Sequence, residues 1–205
     1  MISMQCKKCR RAGQKLFLKG ERCYSPKCAM VKKPYPPGLH GKRRRSLSEY
    51  GKQLLEKQRI RNTYGIMERQ FRKYIEEVGK KAGDKREMLF KRLEKRLDNV
   101  IYRSGFAKSR KQARQFISHN YFQVNGRRMN IPSYEVKVGD VIKLKEKSQS
   151  FPLFKDLREY LKKYQFPHWL SVNVDKMEIK VASDVPMEEA VDLSAFGMII
   201  EFYSR

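Results

Sequence analysis

Long apolar stretches are absent from this 205-residue sequence. No run approaches the roughly 20 apolar residues that a helix needs to span a bilayer, and the N-terminus has no apolar segment typical of a secretory signal. We therefore expect a soluble cytosolic protein. Hydrophobic residues make up 40% of the chain, which is enough for one large core or two small ones.

The motifs of common catalytic classes are also missing. There is no phosphate-binding glycine loop, no Ser/His/Asp set and no HExxH motif, and the chain contains only 3 histidines. The acidic residues are not grouped as a catalytic pair. The sequence therefore predicts that the protein is not an enzyme.

Acidic residues are scarce: 22 Asp and Glu stand against 47 Lys and Arg, a net charge of +25. Such a charge repels itself in a folded protein unless a polyanion neutralises it, so nucleic acid is the expected partner. Residues 1–45 carry a net +13, whereas residues 151–205 carry a net −2. We expect the acidic C-terminal quarter to form core and a face for a protein partner.

All four cysteines lie near the N-terminus, at Cys6, Cys9, Cys23 and Cys28. Their C-x2-C-x13-C-x4-C spacing is typical of a structural Zn²⁺ site. An iron–sulfur cluster is the second alternative, and free or disulfide-bonded thiols are the third. The segment is too short to bury a core, so a metal would supply its folding energy. Basic residues crowd these cysteines and form a candidate RNA-facing surface: Lys7, Lys8, Arg10, Arg11 and Arg22.

Prolines and glycines exclude regular structure from residues 32–45, which we expect to be a basic loop that orders against RNA. We expect His40 to hydrogen-bond or stack in this loop rather than bind metal. Residues 46–95 predict a helical domain that begins with a capping box at Ser46. Its first helix would bury a face made of Leu47, Tyr50, Leu54 and Leu55. Cations expected to face RNA in these two segments are Arg43, Arg44, Arg45, Lys57, Arg61, Arg69 and Arg72.

Residues 97–130 predict a helix, a tight turn at Gly105, a basic helix and a hairpin. Ser109, with Gln112 three residues later, indicates the N-cap of the second helix, and Asn125-Gly126 favours a type I′ turn. An ordinary solvated charged face is the alternative reading of this run. The candidate RNA-binding residues of this region are Ser109, Arg110, Lys111, Arg114, Asn125, Arg127 and Arg128.

The rest of the chain predicts short strands and one helix. Strands are expected at residues 134–138, 141–144, 169–174, 177–181 and 199–203, with a helix at residues 155–164. The predicted class is α+β, with an N-terminal zinc knuckle, a helical domain and an inserted RNA-binding module of two helices and an antiparallel sheet. The predicted parts are residues 1–45, 46–95, 96–150 and 151–205, the C-terminal residues completing the helical domain.

Several ordered motifs resemble one family, that of bacterial small-subunit ribosomal protein S-four. The similar stretches are residues 16–28 (LFLKGERCYSPKC), 36–41 (PPGLHG), 56–58 (EKQ), 64–71 (YGIMERQF), 96–100 (RLDNV), 109–114 (SRKQAR), 124–126 (VNG), 132–134 (PSY) and 201–205 (EFYSR). Together they span nearly the whole chain.

The resemblance implies a primary binder of the 5′ domain of 16S rRNA that nucleates assembly of the small subunit. It also implies a zinc-binding four-cysteine form, and it places Arg43 and Arg44 at the channel through which mRNA enters. It implies a contact with ribosomal protein S-five that affects translational accuracy. Two alternatives share the same module: a stand-alone RNA chaperone and a subunit of an RNA-modifying enzyme, although no catalytic domain is recognisable here.

Overall fold

A computed structural model of the chain describes residues 4–43, 46–189 and 193–204. These residues form two compact units: the first combines the chain up to Phe90 with the C-terminal helix, and the second runs from Lys91 to Glu189. The predicted α+β class is confirmed, since helices dominate the first unit and the second contains an antiparallel five-stranded sheet. Among the described residues, no helix has the length and apolarity needed to cross a membrane.

All the regular secondary structure in the described residues of the first unit is helical. Its N-terminal segment contains the short helices α1 (Met4–Ala12), α2 (Glu21–Tyr24) and α3 (Ala29–Lys32). The longer helices that follow are α4 (Glu49–Tyr64), α5 (Glu68–Gly79) and α6 (Lys85–Glu94), the last of which continues into the second unit, and α11 (Leu193–Tyr203) closes the chain and packs on α4.

Two predictions for the first unit are wrong at α4. Ser48, rather than Ser46, is the N-cap, and its Oγ accepts a hydrogen bond from the N–H of Gly51 at 3.2 Å. The expected inner face is also misplaced in part, because Leu47 and Tyr50 are 49% and 54% exposed, whereas Leu54 and Leu55 are half-buried. The buried residues of α4 are instead Gln53, Lys57, Ile60 and Tyr64.

The C-terminal segment is a helix, so the predicted strand at residues 199–203 is wrong. Ala195, Phe196 and Ile199 recur at helical spacing and are buried. The Nε2 group of Gln53 on α4 donates to Glu201 on α11 at 3.1 Å. Contacts with distant residues therefore decide this segment, whose alternating apolar pattern is too short to decide it alone.

The second unit begins with a helical pair, α7 (Leu97–Arg103) and α8 (Arg110–Ser118). Its sheet consists of β1 (Phe122–Val124), β2 (Arg127–Arg128), β3 (Val141–Leu144), β4 (Leu170–Asn173) and β5 (Glu178–Val181), in the order β2-β1-β3-β5-β4 with every pair antiparallel. The remaining helices are α9 (Glu146–Gln149) and α10 (Leu157–Lys162), with 3-10 turns at Pro152–Phe154 and Met187–Glu189.

One predicted strand of this unit is absent from the sheet, and the sheet joins strands that are far apart in the sequence. The segment at residues 134–138 is not a strand and contributes only an isolated bridge between Glu135 and Arg96. Strand β5 pairs with β3, with Ile179 opposite Ile142. The sheet therefore gathers residues from both sides of the predicted boundary at residue 150.

A partly buried ion pair joins α4 and α5 in the first unit. The Lys57 side chain is 8% exposed, and its Nζ lies 2.7 Å from Glu68 Oε1 and 4.7 Å from the Phe202 ring centre. The Tyr203 hydroxyl donates to the same carboxylate at 2.5 Å. Partial burial alone would raise the pKa of Glu68, but the hydrogen bonds from Lys57 and Tyr203 outweigh it and hold that pKa below its ordinary value.

We expect Glu68→Ala to destabilise the protein by about 2 kcal/mol, because it leaves the Lys57 ammonium buried without its anion; a fully buried pair would cost about 3–5 kcal/mol. Chemical denaturation measures the loss. Glu76→Ala is the matched control, since Glu76 forms an exposed pair with Arg72 on the same helix and should change stability by less than about 0.5 kcal/mol.

The same variant has an expected pH signature. The pKa of Glu68 is lowered in the folded state. The ionised Glu68 carboxylate therefore contributes fully to the free energy of unfolding above the unfolded pKa of about 4.3, and this contribution is lost as the pH falls through the folded pKa. The stability difference between wild type and Glu68→Ala should therefore be full at neutral pH and shrink on acidification. A difference that grows in acid would contradict the ion pair.

Candidate nucleic-acid interface

The α7–α8 pair is built by local signals that the sequence analysis identified. Ser109 is the N-cap of α8, and its Oγ accepts from the N–H of Gln112 at 3.2 Å. Gly105 has a φ of +75°, and a Cβ at this position would lie 3.0 Å from the Tyr164 ring. The tight turn therefore requires glycine. The predicted inward residues of α8, Ala113, Phe116 and Ile117, are all buried.

A buried carboxylate, Asp98, holds two arginines at this pair of helices. Asp98 is 1% exposed. Its oxygens accept from Arg96 Nε and Nη2 at 3.0 and 2.8 Å, and from Arg114 Nε and Nη2 at 3.2 and 2.7 Å. The Arg96 side chain is buried with Asp98, whereas that of Arg114 is 36% exposed. The buried carboxylate of Asp98 thus holds the guanidinium of Arg114, which lies at the surface.

A second buried carboxylate fixes Arg110 through an intermediate amide. Glu94 is 0% exposed and accepts from Arg103 Nε at 3.0 Å and from Asn99 Nδ2 at 2.9 Å. The Oδ1 atom of Asn99 accepts from Arg110 Nε at 2.8 Å, and the Arg110 guanidinium lies 4.5 Å from the Tyr102 ring centre. Arg110 and Arg114 are therefore held in defined orientations at the half-exposed start of α8.

The predicted hairpin is confirmed, and it gives Asn125 a structural task. Asn125 and Gly126 have φ values of 50° and 76°, as a type I′ turn requires. The Asn125 amide donates to Asp140 Oδ1 at 2.8 Å and accepts from the N–H of Val141 at 2.9 Å. The amide thereby ties the turn to β3, while Arg127 and Arg128 are exposed on β2.

In the first unit, the candidate cations divide into exposed and internal ones. Lys57, one of the cations expected to face RNA, is instead enclosed by Glu68 and the C-terminal aromatic rings. Arg61 is half-buried and lies 3.3 Å from Glu68. Arg69 is exposed, and Arg72, 69% exposed, pairs loosely with Glu76.

The N-terminal segment divides in the same way. Arg10 is 6% exposed and donates to the carbonyls of Lys33, Tyr35 and Pro36 at 3.0, 2.8 and 3.2 Å, so it anchors the basic loop to α1. Lys8 is half-buried. Lys111 on α8 and most of the other N-terminal candidates are exposed: Lys7, Arg11, Arg22, His40 and Arg43. Arg44 and Arg45 lie outside the described residues.

The four cysteines share one neighbourhood around α1, α2 and α3. Cys9, Cys23 and Cys28 are 7–8% exposed, Cys6 is half-buried, and none forms a disulfide. Burial raises the pKa of the Cys9 thiol, the Leu16 N–H lowers it, and the three other thiols lie close enough to raise it further. The N–H of Lys19 donates to Cys23 Sγ at 3.3 Å.

The four cysteine thiols fit Zn²⁺ chemically, because this ion prefers four ligands in tetrahedral geometry and binds clustered thiols that have backbone N–H donors nearby. In the described ranges, however, no three His, Cys, Asp or Glu side chains already stand in ligating positions around one point. The thiols are gathered, and closing them around an ion would require their side chains to move.

Sequence reasoning missed the residues that orient the arginines, namely Asp98, Glu94, Asn99 and Tyr102. The sequence did contain one indication of them. Asp98 and Asn99 are polar residues in a helix that is otherwise apolar and basic, and burying such residues is costly unless they are hydrogen-bonded. The partners 11 and 16 residues further along the chain were not evident from spacing alone.

The fold and this surface define an α+β nucleic-acid-binding protein whose basic helix is oriented by buried carboxylates. Comparison with known families agrees: the model for the Ribosomal protein S4/S9 N-terminal domain matches residues 1–94, and the S4 domain model matches residues 95–142. The chain belongs to the uS4 family of small ribosomal subunit proteins, whose members are structural components rather than enzymes.

Similar relatives span the chain almost completely. The small ribosomal subunit protein uS4 of Caldicellulosiruptor saccharolyticus is 50% identical over 205 residues, covering 100% of this chain and 98% of the relative. Those of Heliobacterium modesticaldum and Thermotoga petrophila are each 49% identical over 201 residues, covering 98% of this chain and 96% of each relative.

We expect Asp98→Ala to destabilise the protein by about 3–5 kcal/mol, because it leaves the Arg96 guanidinium buried without its anion. Arg114→Ala, which removes the exposed partner and leaves the Arg96–Asp98 pair intact, should cost about 1 kcal/mol. Urea denaturation followed by far-UV circular dichroism measures both. Equal losses for the two variants would contradict the central role of Asp98.

Proposed function

We propose that this chain is a structural constituent of the small ribosomal subunit in the cytoplasm and binds 16S rRNA with the half-exposed start of α8 and the β1–β2 hairpin. The observation that carries the proposal is the fixed orientation of Arg110 and Arg114 by Asn99 and Asp98. A guanidinium that is already oriented loses less side-chain entropy when it binds a phosphate.

Charge distribution supports the same proposal. Structured RNA helices are recognised mainly through phosphates and shape, and binding releases counterions in proportion to the phosphates neutralised. The exposed cations of the N-terminal segment would add to the RNA affinity that α8 provides, since residues 1–45 carry a net +13. A stand-alone chaperone or a subunit of an RNA-modifying enzyme gains no support from any observed feature.

The finer assignments rest on the family and on charge. The chain would bind the 5′ domain of the rRNA early in assembly, and Arg43 and Arg44 would line the channel through which mRNA enters. The net −2 of residues 151–205 suits a protein contact, for which ribosomal protein S-five is the proposed partner. That contact would link the chain to translational accuracy.

We also propose that Cys6, Cys9, Cys23 and Cys28 hold one Zn²⁺. The ion would supply folding energy to a segment whose own buried core is small. The backbone N–H groups directed at Cys9 and Cys23 would stabilise the thiolates. An iron–sulfur cluster is the less favoured occupant of the same thiols.

Full-length protein should bind a transcript of the 16S 5′ domain, with an affinity that falls steeply as salt rises. Arg110→Ala and Arg114→Ala should each weaken binding and reduce the slope of log K against log salt by about one per lost phosphate contact. Filter binding over a salt series measures this. Lys176→Ala, at an exposed turn between β4 and β5, is the control and should leave the slope unchanged.

Sedimentation tests the proposal that the chain is part of the small ribosomal subunit. Tagged wild-type protein should sediment with small subunits at physiological salt. Protein that stays at the top of the gradient would refute the structural role, and unchanged slopes for both arginine variants would refute direct phosphate contact by α8.

Native mass spectrometry should find one zinc per chain, and Cys9→Ser should remove it. Because the metal is expected to fold only the N-terminal segment, the variant should lose amide-exchange protection within residues 4–33 and keep it in α7, α8 and the sheet. Wild type treated with a chelator should behave in the same way. Metal-free native protein, or protein containing iron and sulfide, would contradict the zinc assignment.

A further inference from the structure

A stacked pair of rings lies at the far end of α8 from Arg110. His119 and Tyr121 have ring centres 5.7 Å apart and planes inclined by 21°. The His119 residue is exposed and Tyr121 is half-buried. Tyr121 in turn contacts the rings of Phe116, Phe151 and Phe154 at 5.6–5.8 Å. The histidine ring is thus a solvent-exposed member of an aromatic cluster.

The backbone beneath this ring pair is fixed. Asn120 has a φ of +59°, its N–H donates to the carbonyl of Ile117 at 2.8 Å, and the Tyr121 N–H donates to that of Phe116 at 3.1 Å. These two bonds form the Schellman motif that ends α8. The exposed ring therefore stands on a rigid base, so a ligand would lose little affinity to ordering the protein.

Two cations lie on the chain segments that neighbour Tyr121 and β1. The N–H of Lys145 donates to the carbonyl of Tyr121 at 2.9 Å, which places the Lys145 backbone next to that of Tyr121. Arg128 lies on the other side of β1, opposite Gln123. Burial, and then repulsion from Arg128, lower the pKa of Lys145, so the two charges are near each other.

Within the described residues, no carboxylate forms an ion pair with Arg128 or Lys145; the adjacent Glu146 is 3.4 Å from Lys143 instead. Neighbouring like charges repel unless an anion joins them. An uncompensated cation pair beside an exposed aromatic ring matches the two parts of a nucleotide: a phosphate and a flat base.

We propose that His119, stacked on Tyr121, and the cations Arg128 and Lys145 form a subsite for one unpaired nucleotide of the bound RNA. The base stacks on the outer face of the His119 ring, and its phosphate lies against the two cations. This inference rests on the proposed RNA-binding function and adds to it a recognition element for single-stranded RNA, separate from the phosphate contacts of α8. Stacking of this kind accepts any base.

The test measures binding of the full chain to the 16S 5′-domain transcript over a salt series. His119→Ala should weaken binding roughly 5-fold or more, as expected for the loss of one base–aromatic stack, with an unchanged salt slope. His119→Phe should restore affinity because it retains a ring, whereas His119→Gln should not. Lys145→Gln should reduce the salt slope by about one.

His168→Ala is the matched control, since His168 is an exposed histidine of the same unit, and it should bind as wild type does. Thermal unfolding of each variant verifies that the fold is retained. Wild-type affinity for His119→Ala, rescue by Gln equal to rescue by Phe, or a reduced slope for His119→Ala would each overturn the stacking subsite. None of these outcomes bears on the proposed function, which is tested separately by binding of the wild-type chain, by the arginine variants and by sedimentation with small subunits.

Discussion

The buried carboxylate of Asp98 is the interaction on which the candidate interface depends. It lies in the helical pair of the second unit and binds one buried arginine, Arg96, and one surface arginine, Arg114. Burying an anion is costly unless its lone pairs are fully used, and here four guanidinium N–H groups use them. The result is a cationic surface whose geometry is set from inside the protein.

The same arrangement recurs around Glu94, which reaches Arg110 through the amide of Asn99. A surface rich in arginine would otherwise present many side-chain conformations, each of which must be ordered when RNA binds. Fixing two guanidinium groups in advance reduces that entropy cost. The net charge of +25 attracts RNA over long distance, whereas the buried acids decide where two of the charges are held.

Basic residues in this chain therefore have two different tasks. Lys57 and Arg10 are buried, the first against Glu68 and the second against the carbonyls of the loop after α3. Arg128 lies on β2 and Lys145 directly follows β3, and no carboxylate in the described part of the chain forms an ion pair with either. Composition alone does not separate these two groups of basic residues. Whether a basic residue is buried or exposed depends on acceptors that come from other parts of the chain.

By itself the sequence determined the class of fold, the polyanionic partner and the local turns. Ser109, Gly105 and Asn125-Gly126 act within a few residues of themselves, so their effects were predictable. Only the tertiary structure decided that residues 193–203 form a helix, that β5 pairs with β3, and which arginines are held and by what. Those outcomes depend on partners distant in sequence, such as Gln53 and Glu201, which are 148 residues apart, and no local pattern encodes them.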